Sequence, residues 1–460
     1  MTSLRRMSLA NAYALIAATF GLFFLIVTPP FGVGDETAHF ERSYEIAAGR
    51  FLGAEGLPAG MQALLDDAFG RVKSGAPITG EDWARWSAIP LDASNLVAYP
   101  NPTRAVLRLH SPLCYLHFAP VTAAGVAFGL TPLAIFFLGR IAALFAGVFL
   151  VRAAISRAPQ ALRPVFAFVA LLPTAVVFFA GFNIESLLVG LGFYYIALVA
   201  GLAADSDRKL TRGDIARLAA IAFLFGQFKT GYLLAPAFAL VLPASKFAGV
   251  WARILILALI ILPGAAASLA WAMIVKNSML GAIAYSTMNG NHVEPAAQLA
   301  GVLADPLAYA GVVLRTLFAT DAPAAAWKSF LALGGWTNIP LPAAIYAILS
   351  LGLMLVWLSG EKPPHALTSP FASAVQLGIF AATGLAILTL VYFQWNGVGD
   401  AVIIGFQGRY LIAVAPLLAA LAPVRLSLLT PPGRRETLAL SVPSLGLFAM
   451  GAAVIGRYYG

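Results

Sequence analysis

Residues 29–51 read PPFGVGDETAHFERSYEIAAGRF and follow directly on the first long apolar run, Leu9–Thr28. Two carboxylates, Asp35 and Glu36, therefore stand side by side where a hydrophobic segment ends. Gly34 breaks the chain, Asp35 is a residue type that caps helices, and a helix is expected from there to about Ala48, with Gly49 ending it. On that helix Phe40, Tyr44 and Ala47 share a stripe suited to lying on the bilayer or the bundle. Asp35, His39 and Arg42 climb another face at spacings of four and three.

What surrounds this stretch decides the fold class. Of 460 residues, 60% are hydrophobic and only 11% charged, with a mean hydropathy of +0.85, whereas a soluble chain carries about 25% charged residues. Many runs reach about 18 nearly uncharged residues, the length of a helix that crosses a bilayer core. They are too long and too continuously apolar for the alternating strands of an outer-membrane barrel. The expectation is an all-α polytopic membrane protein, one integral domain over 1–460 with no internal repeat and no separate soluble domain. Leu9–Thr28 exceeds a signal-peptide core of about 7–15 residues and is followed by Pro-Pro, so it reads as a retained first span. The net charge of +9 is what an excess of Lys and Arg in cytoplasmic loops produces, and calls for no nucleic-acid partner. The single cysteine, Cys114, excludes an intrachain disulfide and a cysteine-rich metal site.

Arg5 and Arg6 put the N-terminus in the cytoplasm, and residues 29–112 outside. If the next apolar run, 113–130, crossed, Arg152, Arg157 and Arg163 would face outside. If it stays at the outer surface, these residues, Arg208–Arg212, Lys246, Arg253, Glu361–His365, Arg425, Arg434 and Arg435 all fall inside, so the second reading is preferred. The spans are then roughly 9–28, 132–151, 165–182, 186–204, 214–229, 231–245, 253–275, 340–359, 371–393, 410–425 and 436–456, about eleven in all. Residues 306–320 could add a surface or re-entrant helix. The loops 29–131, 276–339 and 394–409 share the outer face, with juxtamembrane helices in the first.

Site candidates come from these loops. Asp35 and Glu36 have an ordinary reading as a cap and an answer to the helix dipole. They also have a chemical one, as an acid–base or metal-binding cluster where lost hydration raises carboxyl pKa values. RLHSPLCYLHF places His110 and His117 seven apart, which suits packing better than a metal site. Asn183 and Glu185 occupy a tight turn between two spans. Lys229, Lys328 and Arg409 are cations on the face that the positive-inside bias depletes, flanked by Trp336, Asn338, Gln407 and Tyr410. Each alone is explained by snorkelling; three such loops around one acidic loop point to a bound anion such as phosphate. Arg140 lies deeper, in the second span, and either snorkels or serves a pocket. No P-loop, H-E-x-x-H or G-x-S-x-G motif occurs.

The opening stretch, with HSPLCY, LLPTAVVFFAGFNIESL, FKTGYL, GWTNIPLP and QGRYLIAVAPL in that order, resembles the bacterial membrane family labelled domain of unknown function 2142. That family is similar to the C-type (GT-C) glycosyltransferases. The resemblance implies a GT-C-like bundle, a polyprenyl-phosphate-linked sugar donor, an essential carboxylate in the first outer loop, and an active site at the outer membrane–water boundary. Asp35 and Glu36 match the Asp-Glu pair of that loop, and Glu185 stands where relatives often carry Asp. The expected activity is transfer of a sugar to an envelope glycan, lipid or protein in the bacterial inner membrane. Asp35 would be the general base, or would hold Mg or Mn with Glu36 or Glu185. His39, Arg42, His110, Lys229, Trp336, Asn338, Gln407, Arg409 and Tyr410 would bind substrate. The alternatives are a flippase or a non-catalytic assembly subunit for lipid-linked glycans; the few polar residues deep in the spans count against transport.

Overall fold

A computed structural model of the chain describes residues 7–53, 56–98, 109–278, 293–336, 338–422 and 433–460. The first apolar run forms α1 (Leu9–Val27), capped by the Ser8 side chain. The first loop then folds into α2 (Glu36–Ala47), α3 (Ala59–Ser74) and α4 (Gly80–Ala88). A short antiparallel pair, β1 (Gly56–Pro58) with β2 (Leu96–Ala98), ties its two arms, Gly56 opposite Ala98. A 3-10 turn, Pro112–Tyr115, and α5 (Ala119–Ala127) follow. At about 1.5 Å per residue, the nine residues of α5 fall well short of a bilayer core.

The remaining helices are α6 (Pro132–Arg157), α7 (Arg163–Ala170), α8 (Pro173–Phe179), α9 (Glu185–Ala204), α10 (Arg212–Phe225), α11 (Val250–Lys276), α12 (Pro295–Ala304), α13 (Pro306–Phe318), α14 (Ala322–Leu331), α15 (Ala343–Leu358), α16 (His365–Thr368), α17 (Pro370–Trp395) and α18 (Arg434–Tyr459). Six of the described helices (α1, α6, α9, α11, α17 and α18) are long and apolar enough to cross a membrane, and α12 with α13 would make a seventh if that pair, bent by 108°, were one span. The chain is thus a multi-pass membrane protein, but the expected eleven crossings are not eleven spanning helices among the described residues. Proline is one reason. Residues 165–182 are split into α7 and α8 ahead of Pro173, and 231–245 form a 3-10 helix, Thr230–Val241, around Pro236. The described part of 410–425, residues 410–422, holds the 3-10 turns Gly408–Leu411 and Ala415–Ala420, the latter opening at Pro416; residues 423–425, Arg425 among them, lie outside the described residues. Missing N–H groups and ring clashes stop a regular helix at such points. The other two, α10 and α15, are regular but only 14 and 16 residues long. The bent α12–α13 pair returns to one place: Gln298 bonds the Gly397 carbonyl and Thr316 accepts from the Ile403 N–H.

Contacts between segments define two ends of the bundle. At one, Arg152 donates to Asn11, Arg163 to the Ser156 carbonyl, Arg435 to the Ala161 carbonyl, and Gly201 abuts the Arg157 carbonyl. Arg152, Arg157, Arg163 and Arg435, four of the basic residues expected to share a side, therefore gather together. At the other end lie Asp35, Phe182, Glu185, Lys229 and Arg409.

The link between α1, the first loop and α6 is one buried ion pair. Arg140 and Glu36 are both fully buried and joined by two bonds of 2.8 Å. The same guanidinium donates to the carbonyls of Leu25, Thr28 and Pro29. Glu36 in turn accepts from the backbone N–H groups of Val33 and Phe182. Arg140 is therefore neither snorkelling nor lining a pocket. Around it α2 is buried from Glu36 to Ile46, with Ser43 bonded to Thr122 of α5. Of the two settings open to α2, the bilayer and the bundle, it takes the bundle, with Glu36 to Ile46 covered by protein. Removing one partner of a buried pair leaves an uncompensated charge and costs about 3–5 kcal/mol. Arg140→Leu is expected to lower the melting temperature in detergent, and Arg140→Leu with Glu36→Leu to recover part of the loss; a single variant melting like the parent would contradict this role.

Candidate functional site

Asp35 opens α2 in the left-handed region, φ 70°, and its side chain makes no capping bond. The cap reading is thereby set aside. A non-glycine residue persists in that conformation only where its surroundings hold it. What holds it is Arg409, 374 residues later, whose Nη2 donates to Asp35 Oδ2 at 2.7 Å. Arg409 is placed by a tight backbone approach. Gly408 N–H donates to Ser329 Oγ of α14 at 2.8 Å, and a Cβ at Gly408 would lie 1.9 Å from the Ala326 carbonyl oxygen. Only glycine lets the chain pass there.

Glu185, first residue of α9, completes the cluster. Its Oε1 is 3.2 Å from Lys229 Nζ and 3.7 Å from Arg409 Nη1. The Tyr410 ring lies between the cations, 4.5 Å from Lys229 Nζ and 5.1 Å from Arg409 Cζ, and Phe178 covers Arg409 at 4.5 Å. Such stacking suits a guanidinium in a partly dry site. Segments far apart in sequence thus deliver two acids and two cations to one spot.

Three of the four, Asp35, Lys229 and Arg409, form the polar end of a cavity of about 510 Å³. Asp35, His110, Lys229, Trp336, Gln407, Arg409 and Tyr410 all line it. Its long walls are apolar, with Trp271 and Val275 from α11 and Ile387, Leu390 and Val391 from α17. Several buried polar atoms here have no hydrogen-bond partner among the described residues: Arg409 Nε and Nη1, Gln407 Oε1 and Glu185 Oε2. Buried donors and acceptors are ordinarily satisfied. These atoms lie enclosed behind the cavity surface, and Glu185 is not among the lining residues; what the cavity itself presents is the side chains of Lys229 and Arg409, which suit an anion.

His39 lies behind the wall. Its Nδ1 is 2.8 Å from the Tyr115 hydroxyl, and its ring stacks on His110 with centroids 6.3 Å apart. Burial pushes the His39 imidazole down to about 4, overriding the pull of Glu185 and Asp35. Burial likewise lowers His110 to about 3. Both are neutral near pH 7, so they offer hydrogen bonds there and not charge. His117 stands apart from this pair, 3.3 Å from Ser186 Oγ.

Other expected site residues serve elsewhere. Glu36 is excluded from the cavity because its carboxylate is enclosed by Arg140 and two backbone donors. Arg42 is fully buried and engages Glu45 at 2.9 Å and the Phe51 carbonyl. Asn338 is exposed and turns its Oδ1 to the Trp336 N–H, which helps set the tryptophan. Trp336 Nε1 donates to the Phe31 carbonyl. Lys328 is exposed on α14 and does not line the cavity. Lys276, Trp271, Gln394 and Trp395 do line it and were not anticipated. Lys276 ends a span on the face where cations need a reason, so the argument that found Lys229 applied to it as well.

The residues do not fit a divalent metal. Among the described residues no three His, Cys, Asp or Glu side chains converge as a cation site. Glu36 is turned away, and Asp35 and Glu185 each already face a cationic side chain. The expected Mg or Mn on Asp35, Glu36 and Glu185 therefore enters no step below.

The histidine environment generates a pH prediction. His39 titrates at 6.5 when unperturbed and about 4 here. Between these values the unfolded chain binds more protons, so stability falls as pH drops through that window. Thermal melts between pH 7 and 4 should show this loss, and His39→Gln should flatten the slope; an unchanged slope would refute the assignment.

The family model described as predicted membrane protein (DUF2142) matches residues 19–418. No curated protein and no solved structure matches the chain significantly. The match runs from α1 through the segment carrying Arg409 and Tyr410, and so takes in the whole four-charge cluster: the chain belongs to the DUF2142 family of membrane proteins.

Proposed function

We propose that the protein is an inner-membrane glycosyltransferase, which moves a sugar from a polyprenyl-phosphate-linked donor to an envelope glycan, lipid or protein on the periplasmic side. One observation carries this reading. The cavity joins two cationic side chains, Lys229 and Arg409, to long apolar walls, the two features that a lipid-linked phosphate needs in one place. The gathering of Arg152, Arg163 and Arg435 at the opposite end supports a periplasmic site, since such residues favour the cytoplasm.

In this mechanism Arg409 and Lys229 hold the donor phosphate and stabilise the charge that grows on it as the sugar leaves. Glu185 positions both cations. Asp35 accepts the proton of the incoming hydroxyl, and Gln407 and Trp336 orient the sugar. A carrier for the same lipid would use the cations but needs no base, so the fate of Asp35 separates the two.

Base catalysis is worth about 10²–10⁴-fold, and Asp35→Asn should lower transfer by that factor in proteoliposomes, measured on protein whose cooperative melt shows that it is folded. The assay supplies polyprenyl-phosphate sugars one at a time and scores new glycosidic bonds. Wild-type rates in that variant would end the role of Asp35. Lipid moving between leaflets with no bond formed would replace the enzyme reading by transport. Arg409→Lys keeps the charge but loses the fork, and is expected to raise KM for the donor about tenfold or more.

A further inference from the structure

We infer that Asp35 competes with the bound phosphate for Arg409, and that the site thereby favours a singly charged phosphodiester over a doubly charged phosphomonoester. The inference rests on the proposed function for its substrate, but its binding test does not require turnover. Two acids, Asp35 and Glu185, meet two cations, Lys229 and Arg409, so the cluster sums to zero before any ligand enters. His39 and His110 face it uncharged near neutral pH, and Tyr410 contributes a ring. Lys276 lines the cavity but is exposed and makes no ion pair with either acid among the described residues, so solvent screens its charge. Arg409 lines the cavity with its Nη2 held by Asp35, while its Nε and Nη1 are enclosed, so a phosphate that reaches the guanidinium contends with Asp35 for it. A phosphate oxygen reaching that guanidinium therefore arrives beside a carboxylate in a site that is largely, though not wholly, shielded from water. One like charge is tolerable there; a second is strongly opposed where the effective dielectric is low.

The charge count closes over the reaction. A sugar phosphodiester brings one negative charge. As the bond from the anomeric carbon to the phosphate oxygen breaks and the bond to the acceptor oxygen forms, the electron pair stays on phosphate, which becomes a dianion. The acceptor's proton moves to Asp35, which becomes neutral. The sum over the cluster and phosphate is unchanged, so the monoester is held only while Asp35 keeps that proton. When Asp35 ionises again, the product is repelled. The base and the release trigger are then one group.

The test uses dodecyl methyl phosphate, a diester, and dodecyl phosphate, a monoester, as probes of the purified full-length protein. At pH 8 the wild type should bind the diester about tenfold or more tightly than the monoester. Monoester affinity should rise as pH falls below about 6, where its second proton is regained. Asp35→Asn should erase the preference and bind the monoester at least about tenfold more tightly than wild type, because the competing charge is gone. Equal or reversed preference in the wild type overturns the inference, as does weaker monoester binding by a folded Asp35→Asn. The second measurement, on the wild type alone, stands even if the variant fails to fold. An Asp35→Asn protein that binds tighter yet still transfers sugar would sink the catalytic reading and spare this one; one that loses transfer and binds no tighter would do the reverse.

Discussion

A guanidinium has five N–H groups and cannot sit dry among apolar helices unless each finds an acceptor. Arg140 meets that demand with the two oxygens of Glu36 and the carbonyls of Leu25, Thr28 and Pro29. The rest of the architecture depends on this. The end of α1 is drawn against α6, the segment 28–35 is pinned, and the first turn of α2 is fixed. Asp35, adjacent to Glu36, then faces the opposite way into the cavity. Neighbouring carboxylates thus divide the work: one is spent on structure so that the other can stay partly solvated, with 19% of its side chain exposed.

The cavity repeats the same physics at higher stakes. Arg409 is also buried, yet not all of its donors are met. Left unmatched, buried polar groups cost stability; a site that tolerates them is one in which binding can recover the difference. The helices α11 and α17 supply walls of a different kind, exposing Leu255, Leu262, Leu377 and Leu385 along their outer faces. Lipid-facing surface and cavity wall are opposite sides of the same two helices.

Much of this was legible in the sequence. Hydropathy sufficed for the membrane class and for the long helices. Charge bias identified Lys229 and Arg409 as cations without an obvious purpose, and the acidic pair as their counterpart. What could not be read was which acid pairs with which cation, because Glu36 meets Arg140 and Asp35 meets Arg409 only through contacts more than a hundred residues apart. Arg42 and Asn338 misled for a related reason: their spacing or motif placed them near the site, while Glu45 and the Trp336 N–H claim their side chains. Not every expected span is one long helix among the described residues, because prolines 173, 236 and 416 interrupt three segments whose composition is that of a membrane helix and α10 and α15 are short. Lys276 was missed although the depletion argument covers it.

The loop that carries Asp35 is also clasped from the far end of the chain. Tyr458 sends its hydroxyl to the Gly32 carbonyl, and the Tyr458 carbonyl accepts from Ile78. In biosynthesis, α1 and the acidic pair that opens α2 emerge first, yet these clasps need a helix made some four hundred residues later. Until α18 is made, the loop that carries Asp35 lacks both of these clasps.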